Sequence, residues 1–254
     1  MCLKSFKMNN VISIDLNADV GEGIGNESDL MTYLSSCNIA CGGHAGDLKT
    51  MTTVVKLAKL NNVKIGAHPS FPDKLNFGRD VMELSDADLY LSIKQQVSDL
   101  QNVLVSENAQ LHHIKPHGAL YNLAAKDKKT ARVIIEVIKS IADPIKLYAP
   151  FNSVIAKIAK EEHIEVKYEA FADRNYNNDL SLVSRKNTSA VLHEKEAVLY
   201  HVLSMIKHQK VKSLSGVEVV IKASTICVHG DTQNAFEILK YLSHNLKMNS
   251  VQIQ

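Results

Sequence analysis

The sequence predicts an α/β fold in which parallel strands alternate with helices and close, or nearly close, into a ring. Three observations carry that expectation. Short runs of strand character alternate with stretches of helical period along the whole chain. Ionisable residues sit at the end of almost every strand. Composition shifts nowhere in the 254 residues sharply enough to mark a linker. A parallel α/β barrel gathers its active site at the C-terminal mouth, where all strands end together. A doubly wound open sheet is the rival, but it would use one crevice at a switch point, so polar residues at nearly every strand end favour the ring. The expected organisation is an N-terminal tail over residues 1–10 and a single barrel domain over 11–250.

The first strand begins at Val11. Ile12, Ile14 and Leu16 alternate with Ser13, Asp15 and Asn17, so one face suits packed helices and the other is polar. Buried carboxylates and amides are costly without hydrogen bonds, and the polar face is therefore expected to line a site. A glycine-studded loop with Asp19 and Glu22 leads to a second strand over 36–41, closing on Gly42, Gly43, His44 and Asp47. Asp47 is expected to cap a helix bearing Met51, Val54, Val55 and Ala58 on one face and ending near Asn61 and Asn62. The third strand, 63–69, ends in His68. The loop after it, 69–80, carries Phe71 and Phe77 and has the length of a lid.

Ser85 with Asp88 opens a long amphipathic helix whose Leu89, Ile93, Val97, Leu100 and Leu104 are spaced by three and four. The fourth strand, 111–118, sets His113, Lys115 and His117 on one face. A helix over 127–142, a strand over 145–150 and a helix over 151–162 follow. The sixth strand, 164–174, groups Glu165, Lys167, Glu169 and Phe171, with Asp173 and Arg174 just beyond. A helix over 193–208 leads to a strand over 217–231 that carries Thr225, Cys227 and His229. Asp231 is expected to cap the last helix, with Ala235, Ile238, Leu239 and Leu242 as its apolar stripe.

Composition narrows the function classes. The formal charge is +2 with acidic and basic residues interspersed, so no nucleic-acid partner is expected, and the KDKK run at 126–129 reads as a solvated helix start. The N-terminal MCLKSFKMNN has no apolar export core, and no run of about 18 apolar residues occurs, so neither export nor a membrane is expected and the protein is placed in the cytoplasm. Met8 is an alternative start. Cys2, Cys37, Cys41 and Cys227 have neither disulfide density nor paired zinc spacing and read as reduced thiols.

Gly21, Gly23 and Gly25 follow a strand, but the sixth position of a dinucleotide loop is Asn26, and no phosphate loop of the GxxxxGK[ST] type occurs anywhere. His44, His68, His117 and His229 lie at or just after four different strands and are expected to meet at one mouth with Asp15, Asp19 and Glu169. Two chemistries compete for them. They could hold a divalent metal that activates water, or work as metal-free acids and bases near neutral pH, and no HExxH spacing decides between the two. Lys115 shares the inward face and either neutralises Asp15 or Glu169 or takes part directly. Arg79 offers a two-pronged clamp for a substrate carboxylate. Asp173 and Arg174 form either a local ion pair shaping the mouth or a substrate contact, and Asn17 and Asn38 are orienters or substrate partners. No GxSxG elbow is present. The catalytic candidates are thus Asp15, Asp19, His44, His68, Lys115, His117 and Glu169, and the substrate-binding candidates Asn17, Asn38, Arg79, Asp173, Arg174 and His229. They suit hydrolysis or ring opening without an acyl-enzyme.

Six ordered blocks carry a resemblance across almost the whole chain: DLNADVGE (15–22), SSCNIACGGHAGD (35–47), IGAHPSFPD (65–73) with NFGRD (76–80), HIKPHGALYN (113–122), EAFADRNY (169–176) and VHGDT (228–232). In this order they resemble the signature blocks of the LamB/YcsF family, which looks like the A component of prokaryotic 5-oxoprolinase. The resemblance implies a distorted (β/α)7 TIM-like barrel similar to that of glycoside hydrolases and polysaccharide deacetylases. It also implies ATP-dependent opening of 5-oxo-L-proline to L-glutamate with two partner subunits, B and C. Since this chain lacks a phosphate loop, ATP and its Mg would be handled mainly by the partners. Gly43 stands where family members often carry Phe, which is expected to widen the pocket beside His44. Two alternatives stay open: a metal-dependent deacetylase or amidase on the same barrel, and a non-catalytic lactam-binding subunit. A homo-oligomer is compatible with either.

Overall fold

Alternating strands and side-chain-capped helices build the ring one βα unit at a time. The computed structural model describes residues 12–232 and 234–254; the expected tail, Cys2 and the alternative start at Met8 lie outside them. In chain order the elements are β1 (Ile12–Val20), α1 (Glu27–Met31), β2 (Ser36–Ala40), α2 (Leu48–Leu60), β3 (Lys64–His68), α3 (Asp86–Ser106), β4 (Leu111–Ile114), α4 (Gly118–Ala124), α5 (Lys128–Lys139), β5 (Lys146–Pro150), α6 (Val154–Glu161), β6 (Val166–Phe171) and α7 (Lys195–Leu203). A π-helical turn, Ser204–His208, then leads to β7 (Lys210–Lys212), β8 (Glu218–Val220), β9 (Thr225–Cys227), α8 (Ala235–Met248) and β10 (Val251–Ile253).

Among the described residues, seven parallel strands close in the order β1-β2-β3-β4-β5-β6-β9 and back to β1. The ring is uneven. At its foot β1 pairs with β10, through Ile12 and Val251, and only from Asp15 upward with β9. Outward-facing Ile14, Leu16, Ala18, Cys37, Ile39, Ile65, Ile114 and Leu147 pack under the helices and are almost fully buried. Each large apolar side chain so buried contributes roughly 1.5–3 kcal/mol. Asp47, Ser85, Asp127 and Ser153 accept the backbone N–H of Thr50, Asp88, Thr130 and Ala156, fixing the starts of α2, α3, α5 and α6. No helix among the described residues is long and apolar enough to cross a membrane.

Several local expectations are corrected. The strand at 111–118 stops at Ile114, because Pro116 has no N–H for the ladder and the chain turns into α4. The stretch 217–231 divides: β8 pairs antiparallel with β7 outside the ring, and only β9 joins the barrel. Asp231 does not cap the last helix, whose first flanking residue is Asn234. Its carboxylate instead reaches Arg79 at 2.6 Å and Arg185 at 3.5 Å. The expected lid over 69–80 is a fixed wall: Gly78 O accepts from Ala119 N, and Pro69 O from His117 N.

Candidate active site at the barrel mouth

The inward faces of the strands are polar from foot to mouth, and hydrogen bonding sorts them into levels. At the foot, Asp15 accepts from Ser36 Oγ at 2.7 Å and Thr225 Oγ1 at 2.6 Å, with Lys64 3.9 Å away. Burial raises the Asp15 carboxyl above the usual range, against those hydrogen bonds. Asp15 precedes Asp19 by four strand residues, roughly 13 Å, and does not reach the mouth cavity.

At mid-level Asn17 Nδ2 donates to Thr225 Oγ1 at 2.7 Å and Glu169 Oε1 at 3.1 Å, while Asn38 Nδ2 donates to Asn17 Oδ1 and Asp19 Oδ1, both at 2.8 Å. His113 Nε2 donates to Asn38 Oδ1 at 2.7 Å, and its ring stacks on Tyr148 with centroids 3.8 Å apart. Gly66 makes that stack possible, since a Cβ there would stand 2.1 Å from His113 Nε2. Lys115 Nζ meets Asp19 Oδ1 at 2.8 Å, Glu169 Oε1 at 3.0 Å and Cys227 Sγ at 3.1 Å, which engages all three of its protons. Burial works against the ammonium, but Asp19, Cys227 and Glu169 outweigh it and hold it well above the ordinary lysine range. Burial likewise opposes the Asp19 carboxylate, and His68 and Lys115 still hold it well below the usual range.

At the mouth, β3 ends in His68, the start of α4 supplies His117, and the loops after β1 and β2 supply Glu22 and His44. His68 Nε2 and His117 Nδ1 are 2.9 Å apart, and His44 Nε2 lies 2.9 Å from Glu22 Oε1. The His44 and His117 rings are stacked, 3.6 Å between centroids, with Phe77 edge-on to both. Burial, reinforced by Asp19, pushes the Glu22 carboxyl up to about 7; burial lowers His44 to about 4 and His117 well below the histidine range. The wall depends on Gly78 and Gly118, both at positive φ, with Gly78 O only 2.6 Å from where a Cβ on Gly118 would sit.

Across the mouth, Asp173 Oδ1 lies 2.9 Å from His229 Nδ1, and Thr232 Oγ1 also donates to this carboxylate. Asp173 thus pairs with His229 and not with Arg174. Arg174 donates to the carbonyls of Val183 and Ala190 and so pins the loop that follows β6. The ring of His229 lies flat on Phe171, 5.1 Å between centroids. Arg79 sits at the cavity edge already paired with Asp231.

These groups surround a cavity of about 360 Å³, lined by Asp19, Glu22, His68, Lys115, His117 and His229 on its floor and by Arg79, Arg174, Arg185 and Lys186 at its entrance. Such a volume suits a small ligand. Asp15, Asn17, Asn38 and Glu169 do not line it, and neither does His44, which stands behind Glu22 and His117. Gly43 does not widen it: a Cβ there would collide with Gln96 and Ser70, at 2.3 and 2.4 Å. Glu22, Arg185 and Tyr121 were not among the sequence candidates. Glu22 has the signal the others have, a carboxylate directly after a strand, whereas Arg185 arrives on an irregular loop that no periodicity reveals. Among the described residues, two groups could hold a metal: Glu22, His44, His68 and His117, and Asp19, Cys227 and His229. Cys37, Cys41 and Cys227 are buried free thiols, Cys41 pushed up to about 12 by burial.

Comparison with known proteins agrees along nearly the whole chain. It is 43% identical over 240 residues to the A component of 5-oxoprolinase from Haemophilus influenzae (strain PittEE), spanning 94% of this chain and 98% of the relative. It is 41% identical over 245 residues to the A component of 5-oxoprolinase from Pyrococcus abyssi, spanning 94% and 96%. The crystal structure of the lactam utilization protein from Thermus thermophilus superposes with a TM-score of 0.89 at 34% identity, covering 96% of this chain and 99% of that one. The LamB/YcsF family profile matches residues 14–254. On these grounds the chain belongs to the LamB/YcsF family.

Proposed function

We propose that this barrel is the lactam-opening subunit of an ATP-dependent 5-oxoprolinase, acting with partner subunits B and C on 5-oxo-L-proline to give L-glutamate, ADP and phosphate. The observation that carries the reading is a mouth cavity roomy enough for a small lactam, whose floor joins a histidine–carboxylate cluster to a second, separately oriented histidine, in a chain similar end to end to proteins named as the A component of 5-oxoprolinase.

A five-membered lactam is a stable amide, so opening it needs an activated carbonyl carbon, a water whose proton is removed and a proton for the departing ring nitrogen. Phosphorylation of the lactam oxygen by ATP supplies the first, and that step belongs to the partners because this chain has no phosphate loop. Water then adds to the ring carbon and the C–N bond breaks with a proton delivered to nitrogen, which leaves an acyl phosphate, and a second water hydrolyses that acyl phosphate to the carboxylate and free phosphate. His229 suits the proton transfers. Asp173 accepts from its Nδ1, which leaves Nε2 as the basic nitrogen facing the cavity and stabilises the imidazolium when it forms. Glu22, His68 and His117 face the same space and act on the attacking water and the activated oxygen, with His44 supporting them. Lys115, with Asn17, Asn38 and Glu169, holds Asp19 in place, and Arg79, Arg185 and Lys186 draw the substrate carboxylate to the entrance.

Replacing His68, His117 or His229 by alanine in the reconstituted mixture should abolish glutamate release while leaving the fold intact; near wild-type turnover in all three would refute the assignment. A second reading is favoured by the Glu22–His44–His68–His117 group: an ATP-independent, metal-dependent amide hydrolase or deacetylase. It requires turnover by this chain alone on addition of a divalent ion.

A further inference from the structure

Two histidines at the mouth have their tautomers set by backbone carbonyls. His68 Nδ1 lies 2.7 Å from Lys115 O, and His117 Nε2 lies 2.9 Å from Phe77 O. A carbonyl oxygen only accepts, so each of those nitrogens carries a hydrogen, and in the neutral rings His68 Nε2 and His117 Nδ1 are bare lone pairs. These two nitrogens point at each other across 2.9 Å. The Glu22 Oε1 atom joins them, 3.3 Å from His117 Nδ1 and 3.8 Å from His68 Nε2. Three electron-rich atoms cannot converge in a buried corner unless a cation lies among them. One proton bridges two of them and leaves the third.

We propose that His68 Nε2, His117 Nδ1 and Glu22 Oε1 are the ligands of a divalent transition-metal ion such as zinc. Two of the three spacings fit as they stand: a metal–nitrogen or metal–oxygen bond of about 2.0–2.1 Å places neighbouring ligand atoms about 2.9 Å apart in an octahedron and about 3.4 Å apart in a tetrahedron, against 2.9 and 3.3 Å for the pairs that include His117 Nδ1, while the 3.8 Å between His68 Nε2 and Glu22 Oε1 is wider than either and closes by a small movement of the carboxylate. The supporting shell fits as well. Metal-binding histidines characteristically donate the remote N–H to a carbonyl or carboxylate, which both rings do here. His44 Nε2, 2.9 Å from Glu22 Oε1, orients the carboxylate from behind, and its ring lies flat on His117. Asp19 Oδ2, 3.4 Å from His68 Nε2, adds negative charge beside the ion. Two imidazoles and one carboxylate select a borderline ion over magnesium or calcium, which prefer all-oxygen shells.

The three ligands line the cavity and His44 does not, so the remaining coordination positions open toward the space a substrate would occupy. A structural zinc site would be closed by a fourth protein ligand; an open one belongs to chemistry on water or a carbonyl. The ion is held by this chain's own side chains, whether or not the substrate is a lactam.

The test uses the full untagged chain, stripped with a chelator. Cobalt(II) is added and followed by visible absorption, and zinc by calorimetry. The expected result is about one ion per chain, with cobalt bands that zinc displaces, and at least about tenfold weaker binding in His68→Gln, His117→Gln and Glu22→Gln, each checked for fold by circular dichroism. His112→Gln should bind as the wild type does. Absence of cobalt bands and zinc heat in the wild-type chain would overturn the proposal without recourse to any variant. So would binding that survives all three ligand substitutions, or that is lost in Cys227→Ser and not in His68→Gln.

Discussion

Lys115 Nζ stands between two buried carboxylates, 2.8 Å from Asp19 Oδ1 and 3.0 Å from Glu169 Oε1. The barrel interior is organised around this one cation. Lys115→Met is expected to strand both carboxylates without a counter-charge and to cost about 3–5 kcal/mol, read as a lowered urea midpoint. The double variant Lys115→Met with Glu169→Gln should be less damaged than the sum of its single changes, because it removes charge from both sides. Additive losses would show that the pair is not coupled.

Gly66 is kept small by the ring of His113. Gly66→Ala places a Cβ 2.1 Å from His113 Nε2, and the ring must leave its stack on Tyr148 and its bond to Asn38. A loss of about 1–3 kcal/mol is expected from overpacking, with a further loss from the broken hydrogen bond. Unchanged thermal stability would contradict the packing described.

Asp173 acts through His229. Asp173→Asn should lower kcat in the reconstituted mixture by about 10²–10⁴ and alter the pH profile, since an amide does not fix the Nδ1–H tautomer or steady the imidazolium. If Asp173 were merely structural, the loss would follow the folded fraction and the pH profile would keep its shape.

Acidification should destabilise the chain well before the ordinary surface carboxylates titrate. Burial lowers His201 and His112 to about 4 and His113 well below the usual range, whereas in the unfolded chain they take up protons below about 6.5. The unfolded state therefore binds more protons in this window, and stability falls as pH drops from 6.5 toward 4. His201 alone accounts for about 2 kcal/mol at pH 5. Glu22, raised to about 7, favours the folded state on acidification from 7 to its ordinary value, and His44 opposes it by a similar amount. The expected readout is a melting temperature several degrees lower at pH 5 than at pH 7; an unchanged or higher one would show that these histidines are not buried neutral.

Much of this was legible in the sequence, and the misses have physical causes. The period-two strands and capped helices α2, α3, α5 and α6 are local signals, and local signals suffice for a βα series. Periodicity identifies a face but not a depth, which is why Asp15 and Asp19 look equivalent although one sits at the foot with Lys64 and the other at the mouth. Pairings set by tertiary structure were invisible: Asp173 found His229, 56 residues away, and not its neighbour Arg174. Asp231 looked like a helix cap and is an ion-pair partner of Arg79, while β8 alternates like a barrel strand but its partner is β7.

The most direct test of the central claim is glutamate release from 5-oxo-L-proline, measured with and without ATP, for this chain alone and for its mixture with the folded B and C partners. Release is expected only in the complete mixture with ATP, and none when this chain is omitted. Full activity of the partners without it, or ATP-independent release by this chain alone, would contradict the account.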